Sequence, residues 1–162
     1  MLEIRPATPD EFTAVADVCE AAYAPFLPPD GYRAVLRDVA RRAAHGEVLV
    51  AADPGVGGRI LGTVTFVPDG GPLGEIAEPD EAEFRMLAVD PAAQGRGVGG
   101  SLLGRVLDES RERGKRAVVC SSLPEMRAAH RVYERAGFRR APERDWSPSP
   151  GVRLLAFVTS LR

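Results

Sequence analysis

Metal-binding chemistry is scarce in this chain: two cysteines, Cys19 and Cys120, and two histidines, His45 and His130, are scattered through 162 residues. No CxxC pair occurs, and both cysteines lie in apolar patterns (Val18-Cys19 and Val118-Val119-Cys120), so they read as buried core thiols and no metal site is expected. Charge of one sign is also lacking. With 21 Lys and Arg against 23 Asp and Glu, the formal net charge is -2, without the basic footprint that neutralises nucleic-acid phosphates. Nucleic acid is therefore not an expected partner. No apolar run approaches the roughly 20 residues that span a bilayer, and Met1-Leu2-Glu3-Ile4-Arg5 has no apolar signal core. These absences point to a cytoplasmic protein with no membrane partner. The 44% hydrophobic and 27% charged composition is that of one globular domain over residues 1–162, long enough to bury its own core.

What is present is periodicity. Residues 2–5 alternate like a short strand, and Thr8-Pro9-Asp10-Glu11 is a capping box opening a helix to about Tyr23, with Phe12, Val15, Val18, Cys19 and Ala22 on its inner face. Pro25, Pro28 and Pro29 stop it. A second helix from about Asp30 sets Tyr32, Val35, Leu36 and Val39 inward and the arginines at 33, 37, 41 and 42 on a solvated face. Residues 47–52 and 59–67 read as a hairpin, 68–81 as a loop, and 83–89 as the next strand. Val98, Leu102, Leu103, Val106 and Leu107 give a helix ending near Gly114, followed by a strand over 116–120. Ser122-Leu123-Pro124-Glu125 reads as a second capping box, opening a helix through Met126, Ala129, Val132, Tyr133 and Ala136 that Gly137 closes. Strands over 138–141 and 151–159, joined by a loop at 142–150, complete an α/β order with a mixed sheet, parallel in its second half.

The segment Gln94-Gly95-Arg96-Gly97-Val98-Gly99-Gly100 lies where a strand hands over to a helix. Glycines let backbone amides approach a ligand, and a helix start favours anions, so a phosphate site is expected there. It is not a P-loop, because no Lys-Ser/Thr pair follows the glycines. Gly95, Gly97 and Gly100 do satisfy GxGxxG, but residues 90–94 separate strand from glycine, and the next strand ends in Cys120-Ser121-Ser122 where a ribose-binding acid belongs. A NAD-binding oxidoreductase is thus the weaker alternative.

Leu87-Ala88-Val89-Asp90-Pro91 followed by Gln94, Gly97 and Gly99 resembles the hydrophobic-Ala-Val-Asp-Pro run and [QR]xxGx[GA] loop of the GCN5-related N-acetyltransferase (GNAT) family. Tyr133-Glu134-Arg135-Ala136-Gly137-Phe138 is similar to that family's YxxxGF signature, and the order of elements along nearly the whole chain is compatible with its fold, a mixed twisted sheet of six to seven strands with about four helices. The resemblance implies acetyl transfer from acetyl-CoA directly to a primary amine of a small molecule or peptide. It implies that Leu87, Ala88 and Val89 hold the pantetheine arm, with Val89 supplying an oxyanion amide, and that Gln94, Gly95, Arg96, Gly97, Val98, Gly99, Gly100 and Ser101 surround the phosphates.

The same resemblance makes Tyr133 the general acid for the leaving thiolate and Glu83 the general base. Two positions depart from the family pattern: Ser121 stands where other members carry a glutamate, and Met126 where many carry an asparagine on the cofactor arm. His130 has no acid partner in the sequence. The acceptor pocket is expected from the loop at 23–29, with Tyr23 and Phe26, and from residues 143–148, with Trp146 beside Asp145 and Arg144. Arg85 could pair with Glu83 or with an anionic substrate. A non-catalytic acyl-CoA-binding or sensor domain is the alternative from another class, and the apolar stretch 152–158 could either complete the sheet or pair across a homodimer.

Overall fold

The computed structural model describes residues 1–27 and 32–162. Its stretches rich in β-branched and apolar residues form the strands β1 (Glu3–Pro6), β2 (Glu47–Asp53), β3 (Arg59–Val67), β4 (Glu81–Val89), β5 (Ala117–Ser122), β6 (Arg139–Arg140), β7 (Trp146–Ser149) and β8 (Val152–Ser160). They pair in the order β1-β2-β3-β4-β5-β8-β6, with β7 added on β8. The pair β4 and β5 is parallel and the others are antiparallel. The mixed α/β sheet is as expected, with eight strands. The extra strand, β7, lies where a loop was anticipated: Trp146 faces Leu154 and Ser149 faces Val152 across a turn in which Gly151 takes φ 82°.

Helices cover both faces, which is why the central strands read as nearly continuous apolar runs. Along β2, Val48 and Val50 face the helices α1 (Phe12–Tyr23), α2 (Arg33–Arg37) and α3 (Val39–His45), whereas Leu49 and Ala51 face α4 (Val98–Glu112) and α5 (Arg127–Arg135). Val15, Cys19, Leu36 and Val39 fill the first layer; Phe66, Phe84, Leu102, Leu103 and Phe157 fill the second. Each such side chain stabilises the fold by about 1.5–3 kcal/mol relative to exposure.

The single second helix of the sequence reading is two helices. Asp38, at φ -83° and ψ 65°, ends α2 and caps α3, its carboxylate accepting the Arg41 amide at 3.2 Å. The anticipated start at Asp30, and Pro28 and Pro29, fall outside the described residues. Arg42 is not on a solvated face: it is buried, and its guanidinium donates to the carbonyls of Val35 (2.7 Å) and Leu36 (2.9 Å), satisfying the end of α2. The first capping box forms, with the Thr8 amide on Glu11 at 2.9 Å, though it opens a 3-10 turn (Pro9–Glu11) ahead of α1. The second does not form. Ser122 stays in β5, its hydroxyl 3.2 Å from His130 Nε2, and α5 begins at Arg127.

Two irregularities create the site. Strands β4 and β5 pair only through Glu81–Ala117, Ala82–Val118 and Glu83–Val119, after which they part, β4 staying on β3 as far as Val89 and β5 staying on β8. Within the diverging half, the β3–β4 register shifts between Thr63 and Thr65, opposite Met86. Met86 has φ 52°, the one positive φ outside glycine among the described residues, a strained conformation that the paired segments on either side hold in place. The strand β8 has β5 on one side and β6 and β7 on the other, so it completes the sheet and offers no free edge. No described helix is long and apolar enough to cross a membrane.

Candidate active site

The parting strands open onto two cavities. The first, of about 640 Å³, runs along Leu87, Ala88 and Val89 to Gln94, Gly95 and the residues from Gly97 to Gly100, and is closed opposite by Ala129, Arg131, Val132 and Arg135 of α5. Gly95 and Gly97 have φ 83° and 77°, left-handed values that glycine adopts without strain. Gly97 caps α4, so the amides that follow it have no carbonyl one turn back and present donors and positive potential to the cleft. At Gly99 a Cβ would lie 3.2 Å from Val132 Cγ1, so the missing side chain lets α4 start close against α5. Phosphate oxygens fit this donor set without a lysine.

Arg131 and Arg135 are exposed, one helical turn apart on the rim of this cleft, and neither has a carboxylate within ion-pair distance among the described residues. Two expected phosphate contacts lie elsewhere. Arg96 leans to Asp53 at 3.4 Å, and the Ser101 amide is already bonded to the Gly97 carbonyl at 3.0 Å; neither lines the cleft. Phe26, expected in the acceptor pocket, lines the first cavity instead.

The second cavity, about 450 Å³, is bordered by Tyr23, Tyr32, Glu75, Arg85, Ser121 and Tyr133 among apolar walls, and Met126 borders both cavities. Tyr133 is buried, with its ring edge-on to Phe84 (5.6 Å between centroids) and Phe157 (5.2 Å). Burial raises its pKa well above the ordinary phenol value, so the hydroxyl keeps its proton at neutral pH.

Glu83 and Arg85 share a face of β4 but do not pair. The Glu83 carboxylate, 1% exposed, accepts the amides of Glu75 (2.9 Å) and Ala77 (3.3 Å) on one oxygen and of Ile76 (3.3 Å) on the other. Burial raises its pKa, and the three amides oppose the rise. It lines neither cavity. What it does is hold the 75–77 loop, whose Glu75 lines the second cavity. Glu75 is itself pushed up in pKa by burial, against the opposing pull of Arg85 3.4 Å away.

The 143–148 segment is largely structural. Asp145 is held by Arg140 at 2.8 Å on both oxygens and by the Ala156 amide at 2.7 Å; Arg144 binds Glu81 at 2.7 Å and the Ile76 carbonyl at 2.7 Å. Trp146 is half-buried and lies outside the cavity lining, where Pro148 and Ser149 stand instead. His130 lines neither cavity; its Nε2 lies 3.1 Å from the Leu123 carbonyl and donates to it, and burial lowers its pKa. No described cluster of three or more His, Cys, Asp or Glu is arranged to hold a metal.

A splayed strand pair with an anion-binding helix start at one mouth and an acid-bearing cavity at the other is the arrangement of a two-substrate transferase. The acetyltransferase (GNAT) family matches residues 12–138, and the chain belongs to that family. A mycothiol acetyltransferase from Cellulomonas flavigena is 34% identical over 112 residues, covering 60% of this chain; the chain spans only 31% of that relative's length. A probable glucosamine 6-phosphate N-acetyltransferase from Oryza sativa is 30% identical over 139 residues, 82% of this chain and 77% of that one. A GNAT-family acetyltransferase from Brucella melitensis, solved in complex with acetyl-CoA, superposes with a TM-score of 0.61 at 30% identity, covering 86% of this chain and 83% of that one.

Proposed function

We propose that the chain transfers an acetyl group from acetyl-CoA directly to a primary amine of a small molecule. The observation that carries this reading is the meeting of the two cavities at Met126, between the glycine-rich helix start and Tyr133. Acetyl-CoA supplies the acyl carbon and a thiolate leaving group. Leu87 to Val89 provide strand backbone for its arm, and the amides after Gly97 face its pyrophosphate. Arg131 and Arg135 add positive charge beside the phosphates.

Glu75 takes the role that the sequence suggested for Glu83. A partly buried carboxylate of raised pKa attracts an ammonium and accepts its proton on the way to attack. Tyr133, kept protonated by burial, donates to the departing sulfur. The test is acetyl-CoA binding by calorimetry, together with thiol release across a broad panel of primary amines. Tight binding with turnover of at least one amine is the expected result. Binding without turnover of any of them would promote the sensor-domain alternative.

A further inference from the structure

Three other ion pairs whose side chains are both a third exposed or less are close. Arg140 grips Asp145 with two contacts of 2.8 Å, Arg5 grips Glu11 at 2.7 and 2.8 Å, and Arg144 grips Glu81 at 2.7 and 3.0 Å. Arg85 is different. Its side chain is only 17% exposed, yet its contacts among the described residues are the Leu73 carbonyl at 3.3 Å, Glu75 at 3.4 Å and the Tyr32 hydroxyl at 3.5 Å, all longer than a good charge-assisted hydrogen bond. Glu75 is equally loose: among the described residues its side chain, 18% exposed, has besides Arg85 only the Ser121 hydroxyl at 3.5 Å. Desolvating a cation and an anion without short partners is costly, and two such groups side by side in one cavity are set for a ligand that completes both.

Resting on the acetyltransferase reading, we infer that the acceptor is a free α-amino acid with a large apolar side chain, its carboxylate on Arg85 and its ammonium on Glu75. In an α-amino acid the ammonium and the carboxylate are both attached to one carbon, which matches a guanidinium and a carboxylate 3.4 Å apart. Arg85 is the only cationic side chain lining this cavity among the described residues, and one guanidinium matches a single carboxylate better than a doubly charged phosphate. The volume of about 450 Å³ is more than the amine and carboxylate need. Leu27, Phe84, Met86, Leu123, Val152 and Leu154 line the remainder, so the side chain is apolar. Tyr23, whose hydroxyl lies 3.5 Å from the Leu87 carbonyl, closes the wall nearest the bulge.

Thiol release from acetyl-CoA is measured for L-phenylalanine and L-leucine beside phenethylamine and 3-methylbutylamine, which lack only the carboxylate. The amino acids should lead in kcat/KM by about 30-fold or more, as expected for a buried charge pair. In Arg85→Met that ratio should fall to within about threefold of unity, and Arg85→Lys should recover part of it. Calorimetric binding of acetyl-CoA to each variant verifies that it is folded. A wild-type preference for the carboxylate-free amines, for phosphate-bearing amines, or an Arg85→Met ratio that stays high overturns the acceptor class while leaving acetyl transfer standing. Acetyl-CoA binding with no amine turned over overturns both.

Discussion

The carboxylate of Glu83 holds the backbone amide of Glu75 at 2.9 Å, so one buried acid fixes the loop that carries a second, partly exposed acid into the second cavity. The two should separate in a pH profile. Burial raises the Glu75 pKa, so the acidic limb of kcat/KM lies above the ordinary glutamate value of about 4.3. Glu75→Gln should lower kcat/KM by about 100-fold or more and remove that limb. Glu83→Gln should keep the limb and lower the melting temperature, because an amide nitrogen replaces one of two oxygens that accept backbone amides. A limb that survives Glu75→Gln and disappears in Glu83→Gln would return the base to Glu83.

Tyr133→Phe preserves the aromatic packing on Phe84 and Phe157 and removes only the hydroxyl. The expected result is a fall in kcat of about 100-fold with acetyl-CoA affinity unchanged within about threefold. Unchanged kcat, with chemistry shown to be rate-limiting, would remove Tyr133 from the reaction.

The glycines of α4 separate ligand effects from helix effects. Gly97→Ala places a side chain at φ 77°, costing about 1–2 kcal/mol, and should weaken acetyl-CoA by about 5- to 30-fold in calorimetry. Gly104, inside α4 with open space at its Cβ, should gain about 0.5–1 kcal/mol of stability as Ala, with binding unchanged.

Replacing Arg131 and Arg135 with Gln should weaken acetyl-CoA by about two- to fivefold each, and the affinity of the double variant should depend less steeply on salt. An unchanged salt slope would place the phosphates away from α5.

Acid should loosen the molecule in a defined window. Arg140 holds Asp145 at a pKa of about 2, and Arg5 holds Glu11 at about 2. Both lie below the unfolded carboxylate range of about 3.9–4.3, so the stability they supply is complete above that range and is lost as pH falls towards 2. Asp145→Asn should flatten part of this acid-side slope in thermal melts recorded from pH 5 to 2.

The glycine-rich turn into α4 was legible because its constraints are local: glycines beside a helix start carry their own geometry into Gly95, Gly97 and α4. The helix carrying Tyr133 was legible from its apolar spacing and the closing Gly137, at φ 98°. Acids were harder to place, since sequence gives a carboxylate its strand but not its partners. Glu83 has the alternation of an inward residue, yet its oxygens turn to amides six to eight residues away, and Glu75 sits in an aperiodic loop with no pattern to mark it. Asp145 and Arg144 looked like exposed recognition groups because their partners, Arg140, Ala156 and Glu81, come together only in the fold.

Met126 borders both cavities, where many members of the family resembled carry an asparagine. An unbranched thioether with several rotatable bonds reshapes itself around whatever passes and offers water almost no hydrogen bond. In the proposed reaction donor and acceptor approach each other across a greasy, compliant threshold, which favours transfer to the amine over leakage of the thioester to solvent.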